Sequence, residues 1–352
     1  MDSTFWRGRS VFVTGHTGFK GAWLCLLLAQ LGAKIHGYAL ETPPTFLYTR
    51  AKVAGVLEHD ERGDIRELDR LSRSIKASGA EFVLHLAAQS VVRESYRDPR
   101  ETFSTNVDGT LSVLQAAHAA TNVRGVVVVT TDKVYRNNEW HWGYRETDPL
   151  GGDDPYSASK AAAELVTHSF AVSYPRDGLA IASARAGNVI GGGDATPDAL
   201  IPDVIKGLAE GRQPVIRRPA ASRPWQHVLE PLTGYLTLAS RLGAETHDTA
   251  WNFGPAAEDC VTVGTLVDRL SAMWGSNAGY AVPHVTEGPH EAGLLVVDSA
   301  KARAELGWAP TLRVQQALQL TVDWEQSVAA QGDPRTVTDR QIAYFLAEGG
   351  AA

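Results

Sequence analysis

The stretch Val11-Phe12-Val13-Thr14-Gly15-His16-Thr17-Gly18-Phe19-Lys20-Gly21 reads as a strand, a glycine turn and the start of an apolar helix. Gly15 permits the tight turn after the strand, Gly18 lets backbone approach a phosphate, and Gly21 allows helix and strand to pack closely. The helix that opens at this turn, with Thr17, Phe19 and Lys20 around it, offers free N–H groups and the positive end of its dipole. A lone glycine pattern is weak. Its position directly after the strand Ser10 to Thr14 and before an apolar helix is the context that a dinucleotide pyrophosphate requires. An ordinary glycine turn is the competing reading, and Lys20 is either a phosphate contact or a solvated lysine.

Outward from this point, short β-rich apolar runs alternate with helical patterns, the mark of a parallel sheet covered on both faces. Strands are predicted at Ser10 to Thr14, Lys34 to Leu40, Phe82 to Leu86, Gly125 to Thr131 and Leu179 to Ala186. Helices are predicted between them, over Gly18 to Leu31, Asp69 to Ser78, Glu101 to Ala119 and Ser157 to Ser173. The order points to an α/β fold, a Rossmann-type doubly wound parallel sheet. After Asn188 glycines and prolines break the pattern, at Gly191-Gly192-Gly193, Pro197, Pro202, Pro214, Pro219 and Pro224. Residues 1–188 are therefore expected to form a nucleotide-binding domain. Residues 189–352 are expected to form a smaller, mainly helical lobe that crosses back to the sheet through a buried strand at Thr249 to Phe253. The segment Thr336 to Ala347 reads as one amphipathic helix.

Composition narrows the function. The 352 residues are 44% hydrophobic with a formal net charge of −7, which speaks against polyanion binding, since such proteins carry a basic surplus. No nucleic-acid partner is expected. Cys25 and Cys260 are too few for a disulfide framework and form no metal-binding spacing. Met1 to Ser10 is polar and charged, and the apolar run Trp23 to Leu31 falls short of the roughly 20 residues that cross a bilayer. A cytoplasmic protein with no membrane partner is the expectation.

Glu41 stands about 20 positions beyond the glycine turn, where an acidic residue binds adenosine ribose hydroxyls. No arginine follows that strand immediately, which favours NAD over NADP; a plain loop charge before Pro43-Pro44 is the alternative. Asp64 and Ile65 flank an adenine or form a simple turn. Leu86, Ala87 and Ala88 end a strand in small residues, where a cofactor can lie flat, and Gln89 and Ser90 follow at the same end as candidates for the substrate.

Tyr156 and Lys160 are four apart on one helical face, so an ammonium can lie beside a phenol. A free tyrosine titrates near pH 10, so its use as a base near neutrality needs about 4 kcal/mol of anion stabilisation. Thr131, Asp132 and Lys133 emerge together at the end of the preceding strand. A dehydrogenase or epimerase needs only the hydroxyl and the phenol. Eliminating water also needs one group to protonate the leaving hydroxyl and another to remove a carbon-bound proton. Asp132 and Lys133 suit those two needs, unless they form a strand-end ion pair without chemistry.

Taken with Gly151-Gly152-Asp153-Asp154-Pro155-Tyr156, Arg185-Ala186-Gly187-Asn188 and Arg223-Pro224-Trp225-Gln226-His227, these residues resemble the extended short-chain dehydrogenase/reductase family. Within it the chain looks most like the CDP-glucose 4,6-dehydratases, because the dTDP-glucose relatives carry Asp-Glu where this sequence has Asp132-Lys133. The resemblance covers nearly the whole chain. It implies NAD, a nucleotide-sugar substrate, and a homodimer built from the helices around 101–119 and 157–173. It further implies oxidation at carbon 4, loss of water across carbons 5 and 6, and hydride return to carbon 6. Tyr156 and Lys160 serve the oxidation, Thr131 the carbon 4 oxygen, Asp132 the departing hydroxyl and Lys133 the carbon 5 proton.

Asn188 and Arg223 correspond to diphosphate contacts; Leu200 and Arg217 border the base, and His290 either closes the phosphate site or packs. Trp140, Trp142 and Tyr144 form either a lid over the sugar or a structural aromatic cluster. Two other readings stay open: a sugar-nucleotide 4-epimerase on the same scaffold, and a non-catalytic NAD-sensing protein.

Overall fold

The computed structural model describes residues 2–242, 250–277, 279–283 and 292–349. Six strands, β1 (Ser10–Thr14), β2 (Lys34–Ala39), β3 (His59–Arg62), β4 (Phe82–His85), β5 (Gly125–Val129) and β6 (Ala180–Ala186), join a seventh, Ala250–Phe253. All pair in parallel, in the order Ala250–Phe253, β6, β5, β4, β1, β2, β3. The chain winds outward from β1 to β3, returns to β4 on the other side of β1, and winds outward again. Between β1 and β4 the direction of winding reverses, and a crevice opens beyond their carboxyl ends.

The central strands Val11–Val13 and Val126–Val128 are almost fully buried apolar runs, as a sheet covered on both faces demands. One face packs against the helices Phe19–Gln30 and Leu229–Arg241, with Trp23, Trp251, Phe253 and Trp324 wholly buried in that layer. The other face packs against Leu68–Ser78, Gly109–Ala119 and Pro155–Ser173, around Phe12, Leu71 and Val113. A third apolar cluster, led by Ile201, Val204, Leu266 and Leu318, belongs to helices beyond residue 188.

Three differences from the sequence reading have physical causes. His59–Arg62 is a strand although all four residues are polar; its backbone completes the β2 edge, and edge strands are often charged. The predicted helix 101–119 is three pieces, Pro99–Phe103, a π turn at Ser104–Asp108, and Gly109–Ala119. The π turn brings Asn106 inward, where its amide exchanges bonds with the Gln89 backbone at 2.9 and 3.0 Å and donates to Ser159 Oγ at 2.9 Å. Short pairs missed by periodicity also occur: Val189–Ile190 with Gln226–His227, and Ser222–Pro224 with Cys260–Thr262.

Candidate active site

A cleft of about 370 Å³ lies over the β1/β4 crevice, within the range of small-ligand sites. Gly15, Thr17, Gly18, Phe19, Lys20 and Gly21 form its floor, together with Asp64, Ile65, Leu86, Ala87, Ala88 and Ser90. Tyr156 and Lys160 stand at its other end. Gly15 has φ +73°, and a Cβ there would come within 2.6 Å of the Ala87 nitrogen. Gly21 packs directly on the Gly15 carbonyl, leaving no room for a side chain. No side chain caps helix Phe19–Gln30 at Gly18, so its first N–H groups are available to an anion. A cradle of bare backbone, an uncapped helix and two flat alanines suit a dinucleotide.

The second strand ends differently from expectation. Glu41 is largely exposed and lies 3.4 Å from Arg62 Nε, an arginine that reaches this corner from β3 and is remote in sequence. Arg62 also contacts Asp60 and Tyr48, and Asp60 Oδ1 lies 2.8 Å from His16 Nε2. Asp64 is held by Arg66, Nε to Oδ1 at 3.0 Å, which keeps its carboxyl below the usual range.

At the reacting end, the helix Pro155–Ser173 begins under an Asp154 cap, whose Oδ1 accepts the Ser157 N–H at 2.9 Å. That start points Tyr156 and Lys160 at the end of β5. Lys160 Nζ donates to the Val129 carbonyl at 3.1 Å. Burial, reinforced by the Lys20 charge and opposed by Glu164, pulls its pKa down to about 8. Lys20 is likewise pulled by burial to about 8, against the attraction of Asp132. Its charge therefore acts at the reacting end as well as in the glycine loop. Burial pushes the Tyr156 phenol above its ordinary value, while a hydrogen bond with Thr131 opposes the rise. The protein alone thus holds the phenol protonated, and cations beside it must offset burial before it can serve as a base.

Thr131 Oγ1 donates to Asp132 Oδ1 at 3.0 Å and accepts the Lys133 N–H at 3.3 Å, fixing the turn 131–133. Asp132 is 2% exposed, and its Oδ2 has no hydrogen-bond partner. Burial raises its pKa, against the charges of Lys133, Arg223 and Lys20 and the Thr131 bond. A carboxyl so placed can keep and deliver a proton. Lys133 Nζ lies 6.0 Å from the centre of the Tyr156 ring. Thr131, Asp132, Lys133, Tyr156 and Lys160 are therefore gathered in one place, with Arg223 within electrostatic reach.

Other expected contacts are placed less directly. Arg223 donates to the carbonyls of Ser222 and Ala292, at 2.9 and 2.5 Å. The Gln89 side chain is committed to Thr102 Oγ1 and the Val91 N–H, at 2.8 and 2.6 Å. Asn188 is half-buried and its carbonyl accepts the Gln226 N–H. Leu200 opens the helix Leu200–Ala209, half-buried against the third cluster, and Arg217 is half-buried beyond Val215. His290 lies outside the described residues. Tyr144 is buried, stacked between Tyr135 and Trp140 at 5.1 and 5.2 Å, so it belongs to an aromatic cluster; Trp142 is exposed. Asp194 and Thr196 line the cleft without having been singled out from sequence; a carboxylate closing the Gly191-Gly192-Gly193 run was the available signal.

A dinucleotide cradle on a doubly wound sheet, closed by a buried phenol and ammonium, is the architecture of the extended short-chain dehydrogenase/reductases. Within that class the chain belongs to the GDP-mannose 4,6 dehydratase family, whose sequence profile matches residues 12–321. It is 44% identical to the CDP-glucose 4,6-dehydratase of Salmonella typhimurium, over 98% of both chains. It is 33% identical to a dTDP-glucose 4,6-dehydratase of Streptomyces griseus, over 89% of this chain and 93% of the relative. Among solved structures it resembles DesIV, a dTDP-glucose 4,6-dehydratase of Streptomyces venezuelae crystallised with NAD, at 28% identity. The TM-score is 0.78, and the match covers 92% of this chain and 99% of that one.

Proposed function

We propose that the protein is an NAD-dependent sugar-nucleotide 4,6-dehydratase that converts CDP-glucose to CDP-4-keto-6-deoxyglucose and water. The observation that carries this reading is the buried Asp132 carboxyl, with one unpartnered oxygen, beside Thr131 and Tyr156. A 4-epimerase would have no use for an acid there. The 44% identity to a CDP-glucose 4,6-dehydratase supports the choice of base.

Thr131 holds the carbon 4 oxygen and Tyr156 takes its proton, with Lys160 favouring the phenolate. When bound, NAD supplies the acceptor for the hydride leaving carbon 4 and later its donor to carbon 6. The new ketone acidifies the carbon 5 proton, which Lys133 removes. Asp132 gives its proton to the carbon 6 hydroxyl, which leaves as water. Lys133 returns a proton to carbon 5 once the water has left, and the reaction as a whole is redox-neutral. Gly15, Gly18 and Gly21 cradle the pyrophosphate, Glu41 meets the adenosine ribose, and Asn188 and Arg223 meet the substrate diphosphate. Residues 1–188 carry the cofactor and the reacting groups, and much of 189–352 forms the nucleotide-sugar side.

A homodimer accompanies this reading. Leu165, Val172 and Tyr174 at one helix, and Phe103 and Leu111 on its neighbour, expose large apolar side chains where a second copy would cover them. No helix among the described residues is long and apolar enough to cross a membrane, and a cytoplasmic place suits two unpaired cysteines.

Incubation with CDP-, dTDP-, UDP- and GDP-hexoses in parallel, in deuterated water, tests the whole. A 4-keto-6-deoxy product from the CDP sugar, labelled at carbon 5, is expected. A 4-epimer without label at carbon 5 would overturn it.

A further inference from the structure

One buried ion pair lies directly beneath the reacting groups and has no part in the chemistry above. Glu164, one helical turn beyond Lys160, and Arg185 on β6 are 4% and 3% exposed. Arg185 grips both carboxylate oxygens, Nε to Oε1 and Nη2 to Oε2, each at 3.0 Å. The pair also bonds to residues at both ends of the catalytic turn. On one side Thr130, the residue before Thr131, donates its hydroxyl to Glu164 Oε1, and Ser183 donates to Oε2 at 2.5 Å. On the other side Arg185 Nη1 donates to Tyr135 Oη at 2.7 Å and to the Glu146 carbonyl at 3.1 Å. Tyr135 Oη in turn donates to Asn252 Oδ1 at 2.7 Å, and Asn252 is the register partner of Arg185 in the sheet.

The segment carrying Thr131, Asp132 and Lys133 is thus tied immediately before and shortly after to one charged pair. The carboxylate of that pair rides on the helix that carries Tyr156 and Lys160. Stability does not call for this arrangement, because a buried pair is often no better than apolar residues of the same volume, whereas fixing register is its best-attested use. Every hydrogen bond in it is between partners far apart in sequence, which makes it a gauge of how strand and helix sit together.

We propose that Glu164 and Arg185 are positioning residues: their ion pair sets the registry in which the turn 131–133 faces Tyr156 and Lys160. This rests on the dehydratase reading for its consequence. Oxidation needs Tyr156, Lys160 and Thr131, whereas elimination also needs Asp132 and Lys133 at the right depth. Loosening the tether slows elimination more than oxidation.

Three variants test it. Tyr135→Phe keeps the pair and cuts its link to the far end of the turn; Arg185→Lys keeps the charge but cannot hold both oxygens; Glu164→Gln removes the anion beside Lys160. For folded Tyr135→Phe and Arg185→Lys, the expected result is kcat lowered tenfold or more with KM within twofold. Reduced cofactor should accumulate in the steady state because oxidation outruns elimination. Wild-type kcat with no accumulation in both variants overturns the proposal.

A readout free of substrate accompanies these rates. The pH at which Lys160 becomes reactive to an amine reagent should fall in Glu164→Gln, since the Glu164 charge partly offsets the burial that lowers the Lys160 pKa. Should the wild-type protein turn over no nucleotide-linked hexose, the dehydratase reading fails by itself and this titration decides the positioning role. An unchanged midpoint in folded Glu164→Gln overturns it, and so does a variant set that fails to fold while Glu164→Gln leaves Lys160 unmoved.

Discussion

Lys160 spans from its helix to the last residue of β5, giving its ammonium to the Val129 carbonyl at 3.1 Å. A charged group is thereby kept in a largely dry place, which costs folding free energy and prepares the site. The pKa of Lys160 falls from 10.5 to about 8, chiefly through burial. Between those values the unfolded chain binds a proton that the folded chain does not, so folded stability rises with pH across that window. Below pH 8 the full penalty is present, roughly 3 kcal/mol for a displacement of this size. Lys160→Met should therefore gain stability relative to its parent at pH 7 and lose that relative gain by pH 10.5. Thermal melts at the two pH values read it; a difference that does not change with pH contradicts the account.

Asp132→Asn keeps the acceptor for Thr131 Oγ1 and removes the acid. Oxidation of the sugar should continue while elimination falls by roughly 10²–10⁴-fold, the usual worth of a positioned acid. Absorbance of reduced cofactor in a single turnover should rise and persist. Tyr156→Phe should give the opposite trace, with no reduced cofactor formed. Release of deoxy product by Asp132→Asn at the parent rate would remove Asp132 from the reaction.

Gly187 owes its identity to Asp132. A Cβ at position 187 would lie 2.7 Å from Asp132 Oδ2 and 2.8 Å from Pro224 Cγ. Gly187→Ala should cost about 1–3 kcal/mol by overpacking, and push the carboxyl out of place. Lowered Tm together with reduced-cofactor accumulation is expected; an alanine variant with parental melting and turnover would show that this corner yields freely.

The adenosine end offers a change of cofactor preference. Glu41 lies 3.4 Å from Arg62 Nε, a buried nitrogen with no hydrogen-bond partner. A 2′-phosphate would meet the Glu41 carboxylate first. Glu41→Ser should improve NADP binding relative to NAD tenfold or more, as the arginine becomes the dominant charge. Dissociation constants for both dinucleotides check it, and an unaltered ratio would place the ribose elsewhere.

Much of the central sheet is legible because β1, β4 and β5 are short, mostly apolar runs, and the strand expected at Ser10–Thr14 has those bounds in the structure. Gly15, Gly18, Gly21, Tyr156 and Lys160 line one cleft, and a glycine turn and a phenol four before a lysine carry their chemistry in local spacing. Arg62 was not legible: it meets Glu41 only because β3, polar throughout, pairs beside β2. Nor were Glu164 and Arg185, whose partnership depends on a helix and a strand lying together. The π turn at Ser104–Asp108 escaped for a related reason. Asn106 within it donates to the Gln89 carbonyl at 3.0 Å, a contact between residues distant in sequence that no periodicity reports.

The seventh strand has a consequence for biosynthesis. Ala250–Phe253 covers the outer edge of β6, and Trp251 and Phe253 are fully buried there. A nascent chain that has already emerged through Ala186 must wait for the ribosome to add this segment before that edge is closed. At about 5–20 residues per second, the unfinished polypeptide exposes an open β edge for several seconds, a period in which chaperones or neighbouring nascent chains compete for it.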